Sequence, residues 1–475
     1  MPVSPTYRPA TDHLSLGAEF YDPVQAAHFP LHILRYRNER AAASVGLAAL
    51  TDPEWVRHFG RFEPLPGSLP QPLALRYHGH QFRQYNPDLG DGRGFLFAQL
   101  RDDQGRLLDL GTKGSGRTPW SRGGDGRLTL KGGVREILAA SMLGALGVDT
   151  SRAFSLIETG EELTRGDEPS PTRSAVLVRL SHSHIRIGTF QRLAAHEDVE
   201  SISALIDYVL TTYYPTLPVS DGDNPALVMF RAIGERVARV GAQWMAAGFV
   251  HGVLNTDNIA ITGESFDYGP WRFLPRYDPN FTAAYFDHGG LYSYGRQPQA
   301  LMWNLARLAE CLLALAPHEA LNEILSRFPE NYETELDQAW RRRLGVASLG
   351  PESDRDLRLA VTEFLVKSSI PFHFLPYDWY GGEASRHRAD ASARATYYNE
   401  PSFVPVRSLL QSRAPASGVD LGHAYFGADA PCDLLIETVE SLWSHVAEGD
   451  EWEPLRNMWL RLESMADALA AGSSS

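Results

Sequence analysis

The stretch HGVLNTDNIAITGESFDYGP, residues 251–270, decides how this chain folds. It sets His251, Leu254, Asn255, Asp257 and Asn258 on one polar loop and Asp267-Tyr268-Gly269 on a second. Between them, IAI reads as a short apolar strand. Asn258 and Asp267 then stand at either end of that strand as hard oxygen donors. Magnesium takes such ligands, one or two from the protein with phosphates supplying the rest. Asn and Asp also close turns with no further role, but this pair has the order and spacing a metal needs. Long helical patterns flank the stretch, ALVMFRAIGERVARVGAQWMAAGF (226–249) before it and ALMWNLARLAECLLAL (300–315) after it.

The order matches the kinase pattern His-Arg-Asp-Leu-x-x-x-Asn, a short strand, then Asp-Phe-Gly. His251, Leu254 and Asn258 fall in register, and Asp267-Tyr268-Gly269 stands where Asp-Phe-Gly belongs. Val253 takes the place of the catalytic aspartate, and valine accepts no proton. Either no phosphoryl transfer occurs or another carboxylate serves as base. Asp257, one residue before Asn258, is the nearest substitute. Chemistry alone leaves it open between a base and a structural loop carboxylate.

Towards the N-terminus, GFLFAQLRDDQGRLLDLGTKG (94–114) places two apolar runs around Asp102-Asp103-Gln104-Gly105, a β-hairpin with Lys113 at the end of its second strand. A helix is expected from about Lys131 to Leu146 and a buried strand over RSAVLVRLS (173–181). A strand lysine paired with a helix glutamate is how kinase folds hold nucleotide phosphates, which singles out Lys113 and Glu136. The only lysines are Lys113, Lys131 and Lys367, leaving 41 arginines of 44 basic residues. A lysine kept where arginine is the rule points to a specific task.

Gly90-Asp91-Gly92-Arg93-Gly94 would let backbone N–H groups approach a phosphate; taken alone, a tight turn opening a hairpin is the better reading, since lone Gly-rich loops are weak signals. Arg179 precedes LSHSHIRIG (180–188), Arg186 lies within it, and both suit phosphate, though most arginines in so arginine-rich a chain are surface or ion-pair residues. His182 with His184, and His78 with His80, lack a spaced third ligand for zinc.

The 475 residues are 43% hydrophobic and 21% charged, enough to bury a sizeable core, and the net charge of −14 argues against nucleic acid as the main partner. A local basic pocket for one nucleotide remains compatible with that charge. Cys311 and Cys432 cannot form a disulfide framework, which fits a reducing compartment. No secretory signal opens the sequence and no run of 18 apolar residues interrupts it, so a cytoplasmic location without membrane insertion is expected.

Six blocks in order give the chain a resemblance to the selenoprotein O family of protein adenylyltransferases, once classed as pseudokinases. They are YHGHQFRQYNPDLGDGRG (77–94), GTKGSGRTPWSRGGDGR (111–127), REILAASMLGALGVDTSRA (135–153), VRLSHSHIRIGTF (178–190), HGVLNTDNIAITGESFDYGP (251–270) and QPQALMWNLARLAE (297–310). The resemblance implies an α+β, bilobal, protein-kinase-like fold that binds ATP in inverted orientation. AMP would then pass to Ser, Thr or Tyr of a protein, with pyrophosphate released. It also implies nucleotide contacts from Gly90, Gly92, Arg93, Lys113, Asp125, Gly126, Arg179, Arg186 and Asp267. Glu136 would position Lys113, Asn258 and Asp267 would hold magnesium (manganese being a substitute), and Asp257 would be the base. Many relatives carry a terminal cysteine or selenocysteine; this sequence ends LESMADALAAGSSS with neither, so no such redox control is expected.

The expected organisation is an N-terminal extension (1–70), a β-rich N-lobe (71–190), a helical C-lobe (191–345) and a helical C-terminal extension (346–475) whose AAGSSS tail reads as disordered. A conventional kinase transferring the γ-phosphate and a non-catalytic ATP-binding scaffold are the competing readings. Val253 weighs against the first, and retained metal ligands against the second.

Overall fold

Leu96–Arg101 and Leu107–Lys113 are buried at almost every residue, the polar Gln99, Asp109 and Lys113 included. The turn between them closes because Asp102 Oδ1 accepts from the backbone N–H groups of Gln104 (3.0 Å) and Arg106 (2.9 Å), with Gly105 at a φ of 80°. This hairpin is the middle of a nine-stranded sheet.

In this computed structural model, which describes residues 4–166, 168–220 and 222–470, the strands are β1 (Pro9–Ala10), β2 (Tyr21–Pro23), β3 (Ile33–Arg37), β4 (Leu73–Leu75), β5 (Gly79–Gln81), β6 (Gln84–Asn86), β7 (Leu96–Arg101), β8 (Leu107–Lys113), β9 (Leu128–Thr129), β10 (Arg152–Leu163) and β11 (Thr172–Ser181). The sheet runs β2-β4-β7-β8-β11-β10-β3, with β1 on β7 and β9 on β11. Its pairs are antiparallel. β5 and β6 form a separate hairpin, and β12 (Phe249–Val250) pairs with β13 (Arg272–Phe273). Residues before 70 therefore contribute three strands to the large sheet.

The helices are α1 (Glu39–Ser44), α2 (Asp52–Phe59), α3 (Leu130–Ala145), α4 (Ile187–Ala195), α5 (Val199–Tyr213), α6 (Pro225–Ala247), α7 (Gln297–Cys311), α8 (His318–Ser326), α9 (Phe328–Arg343), α10 (Pro351–Ser368), α11 (Phe374–Asp378), α12 (Arg386–Ala391), α13 (Val404–Gln411), α14 (Ile436–Gly449) and α15 (Glu453–Leu469). The architecture is α+β: an antiparallel sheet built from the N-terminal part and a helical array built from the rest. α3 begins where Thr129 caps it, its hydroxyl accepting from Gly132 N–H at 3.0 Å. It lies against β10 and β11 on one side and against α15 on another. The C-terminal helices thus reach back to the sheet, where Arg40 pairs with Asp467 at 2.6 Å and Lys131 with Glu440 at 2.7 Å.

The expected hairpin, the 131–146 helix and the 173–181 strand appear within one or two residues of their predicted limits. The helix expected over 300–315 runs from Gln297 to Cys311, with turns beyond. The IAI strand does not form. Its backbone joins the 185–187 segment through two hydrogen bonds, Ile187 N–H to Ile259 O and Ile261 N–H to Ile185 O, leaving only an isolated bridge between Arg186 and Ala260. A 3₁₀ turn over Thr256–Asn258 precedes it and Gly263, at a φ of 70°, turns the chain after it. Too few residues remain for a ladder. Most of the AAGSSS tail, residues 471–475, lies outside the described residues.

Candidate active site

Lys113 ends β8, and the register of that strand with β11 sets Lys113 opposite Leu177 and Gly111 opposite Arg179. The side chains of Lys113 and Arg179 meet Glu136 from α3, which is 2% exposed against 5% for Lys113. Lys113 Nζ donates to Glu136 Oε1 and, at 2.7 Å, to Asp267 Oδ1. Arg179 Nη1 lies 3.3 Å from Asp267 Oδ1 and 3.8 Å from Glu136 Oε2. Two cations and two carboxylates thus form one closed network. Removing a single member of such a buried set costs about 3–5 kcal/mol, because the others are left uncompensated.

Asp267 sits in the left-handed region at a φ of 62°, a conformation an aspartate tolerates better than most residues. Its side chain is 28% exposed, at the floor of a recess rather than sealed off. Burial pushes its carboxyl up, but Lys113, Arg179 and Arg93 outweigh this and hold it well below the usual carboxylate range.

The loop before it is pinned at nearly every residue. His251 donates its backbone N–H to Gln297 Oε1 at 3.0 Å, and its Nε2 meets Phe266 O at 3.0 Å. Asn255 Oδ1 accepts from Tyr292 Oη at 2.8 Å and Phe82 N–H at 3.1 Å. Thr256 Oγ1 accepts from His80 N–H at 2.7 Å and donates to Gln191 Oε1 at 2.6 Å. Asn258 Nδ2 donates to Val253 O at 3.1 Å, so its amide oxygen is turned away from the loop's own backbone.

Asp257 is different. Its Oδ1 is buried and has no hydrogen-bond partner among the described residues. Burial raises its carboxyl to about 6, with Arg186 and its own backbone opposing and Asp267 reinforcing the rise. Arg186 Nη1 donates to Asp257 O at 3.2 Å, and its Nη2 lies 3.5 Å from Asp91 Oδ1. The same guanidinium covers the Tyr77 ring at 4.2 Å. Arg186 therefore ties the first glycine-rich loop to the loop of Asp257.

The two glycine-rich segments hold each other. Thr118 Oγ1 donates to Asp91 O at 2.5 Å, Ser121 Oγ to Gly92 O at 2.5 Å, and Gly114 N–H to Arg93 O at 2.7 Å. A Cβ on Gly90 would fall 2.4 Å from the Trp120 ring, and one on Gly92 would fall 2.8 Å from Trp120 O. These glycines thus make room for Trp120, whose Nε1 donates to Asp22 at 2.9 Å. Arg93 is exposed and lines, with Lys113, Lys131, Arg135, Glu136 and Arg272, an open cleft of about 500 Å³, the size of a small-molecule site. Asp125 lies on a neighbouring opening, beside Arg117, Glu161 and Arg127, the last of which lines both, and Gly126 is buried. There Asp125 pairs with Arg165 at 2.8 Å.

The structure thus brings Lys113, Glu136, Arg179 and Asp267 into contact, and sets Arg186, at the start of α4, against the adjoining loop that carries Asp257 and Asn258. Sequence reasoning passed over Asp91, Gly79 and Trp120. Asp91 stood inside a quoted motif and could have been chosen as the buried partner of an arginine. Nothing in the pattern marks Trp120 or Gly79.

A family model described as protein adenylyltransferase SelO matches residues 3–463. The protein nucleotidyltransferase YdiU of Synechocystis sp. is 48% identical over 473 residues, covering 97% of this chain and 98% of that protein. The protein of the same name from Synechococcus elongatus is 44% identical over 491 residues, covering 98% and 96%. That from Teredinibacter turnerae is 37% identical over 372 residues, covering 76% of each. No helix among the described residues is long and apolar enough to cross a membrane.

Proposed function

The chain belongs to the protein adenylyltransferase SelO family and is a protein nucleotidyltransferase; from that premise we propose how its residues divide the work of moving AMP from ATP to a protein hydroxyl. The fold is read as kinase-like, with residues 71–190 and 191–345 as two lobes and residues 1–70 and 346–475 as extensions. The central strands β7, β8, β10 and β11 fall within residues 71–190 and helices α5 to α9 within 191–345, which supports that division.

The carrying observation is the contrast between Asp267, gripped by Lys113 and Arg179, and Asp257, whose Oδ1 is buried without a partner. ATP lies with its phosphates against Lys113, Arg179, Arg186 and Arg93, and its glycine-rich contacts come from Gly90, Gly92 and Gly126, with Asp125 beside them. Glu136 keeps Lys113 in place. Asn258 Oδ1 and Asp267 would hold magnesium, or manganese in its place. The donor set fits, because Asn258 is oriented by its bond to Val253 O and Lys113 and Arg179 keep Asp267 ionised. A metal held there would supply charge neutralisation to the phosphates.

The oxygen of an acceptor Ser, Thr or Tyr attacks the α-phosphorus as its proton passes to Asp257. The bond from the α-phosphorus to the bridging oxygen breaks, and pyrophosphate leaves. Lys113 and the arginines hold the charge that gathers on it. Val253, in place of the usual aspartate, leaves Asp257 as the carboxylate on this loop able to take that proton.

The full chain incubated with magnesium and ATP labelled at either the α- or the γ-phosphate tests this reading. Label from the α-position alone is expected in protein. Transfer of γ-label would make the chain a kinase, and nucleotide binding with no transfer of either label would make it a scaffold.

A further inference from the structure

The hairpin β5–β6 turns on two residues, Phe82 and Arg83, whose φ angles of 49° and 65° both lie in the left-handed region. Asparagine and glycine adopt such a turn freely, whereas phenylalanine and arginine do so at a cost. That cost sets two long side chains at the tip. Phe82 is 37% exposed. Arg83 is exposed, lies over the Trp303 ring at 5.7 Å and pairs with no carboxylate among the described residues.

The hairpin is fixed to the loop of Asp257. Phe82 N–H donates to Asn255 Oδ1 at 3.1 Å and His80 N–H to Thr256 Oγ1 at 2.7 Å. Gly79 stands so close that a Cβ on it would fall 3.2 Å from Asp257 Oδ1. The Phe82 ring lies 5.1 Å from that of Tyr292, whose hydroxyl meets the same Asn255 oxygen, and 5.9 Å from that of Phe286. Phe286 lies 5.1 Å from Tyr285. These two, 42% and 78% exposed, line the cleft that Lys113 and Glu136 also line. An aromatic rim therefore joins the loop of Asp257 to the nucleotide cleft.

Exposed aromatic residues gathered in one patch mark a surface that another molecule covers, and aromatic and arginine side chains are the ones that anchor protein partners. Three rings spread over two segments, with a cation at one end, suit a chain of residues better than a single flat base. Phe82 follows Gly79 by three residues, so the tip lies roughly 10 Å from Asp257 along β5. An extended acceptor with its hydroxyl at Asp257 spans that gap with the same number of residues. We propose that the rim of Phe82, Tyr285 and Phe286 seats the acceptor polypeptide and selects an apolar side chain about three residues from the modified hydroxyl, with an acid beside it for Arg83. The proposal rests on the reading of Asp257 as the base.

The test uses short synthetic peptides, each with one central tyrosine and one varied neighbour, given to the full chain with magnesium and α-labelled ATP. Peptides with Leu or Phe three residues to one side of the tyrosine are expected to be labelled about tenfold faster than those with Ser there. Phe82→Ser and Phe286→Ser should each flatten that preference while magnesium–ATP binding, read by calorimetry, stays within about twofold. Phe82→Leu should keep the preference, and Arg83→Gln should lose only the further gain from an adjacent Asp. Equal labelling of all peptides by the wild type, or of none, overturns the proposal, as does a preference that survives both serine variants. Weakened magnesium–ATP binding in both serine variants with the preference intact would make the rim a platform for adenine instead. Label entering from the γ-phosphate would sink AMP transfer, yet a preference lost in the serine variants would still assign the rim to the acceptor.

Discussion

Two loops of the same segment, residues 251–270, each carry an aspartate, and the surroundings of the two are opposite. Asp267 is met by Lys113 at 2.7 Å and Arg179 at 3.3 Å and is held ionised. Asp257 has one oxygen buried with nothing to accept from, and its carboxyl is raised to about 6. Two chemically identical groups are thereby driven in opposite directions, which is the basis of the proposed division into metal ligand and base. Environments that push paired carboxyls apart are how one site assigns a ligand and a base. What differs is the supply of cations. Lys113 and Arg179 come from adjacent strands and meet Asp267 directly, whereas Arg186 reaches only the main-chain oxygen of Asp257.

The comparison breaks hardest at Asp267. Asp267→Ala should reduce transfer of α-label by about 10³-fold or more, since it removes both the metal oxygen and the anion that Lys113 and Arg179 share. Asp257→Asn should cost about 10²- to 10⁴-fold in the rate of transfer, the usual worth of a positioned base, with the melting temperature near that of the wild type. A finer probe is Gly79, whose added Cβ would stand 3.2 Å from Asp257 Cβ and Oδ1 and 3.0 Å from Leu89 Cδ1. Gly79→Ala should displace Asp257 by tenths of an ångström and slow transfer by about tenfold, with nucleotide affinity unchanged.

A third carboxylate, Glu264, lies between the two in sequence and sharpens the contrast. Its Oε2 accepts from His182 N–H at 2.7 Å. Burial raises it to about 7, with the His182 N–H opposing, Asp149 adding, and Arg106 and Arg152 lowering. It belongs to no constellation of catalytic groups, so its shift is a matter of stability alone. Because the folded value lies above the ordinary 4.5, the wild type loses stability as pH rises between the two and recovers none of it above 7. Glu264→Gln should therefore gain about 1–2 kcal/mol at pH 8 and almost nothing near pH 4.5, read by denaturant melts, with transfer activity unaltered.

How much of this was legible in sequence depends on how local the signal was. The 94–113 hairpin carried its own turn chemistry, α3 its own cap and period, and β11 its own apolar run. The IAI strand misled because apolar character marks burial but cannot supply a partner strand. Its neighbours turned out to be Ile185 and Ile187, far away in the chain. Membership of β1, β2 and β3 in the large sheet was unreadable for the same reason. At the site, Lys113, Glu136, Asn258 and Asp267 stood out because their types are scarce or ordered. Trp120 filling the space left by Gly90 and Gly92 depends on two loops meeting.

The division of labour between Asp257 and Asp267 is tested most directly by titrating magnesium–ATP into the two asparagine variants calorimetrically. Asp257→Asn is expected to bind within about threefold of the wild type while transferring AMP about 10²- to 10⁴-fold more slowly. Asp267→Asn is expected to lose magnesium-dependent binding altogether. Weakened binding in Asp257→Asn with full magnesium–ATP affinity in Asp267→Asn would contradict the assignment of base and metal ligand.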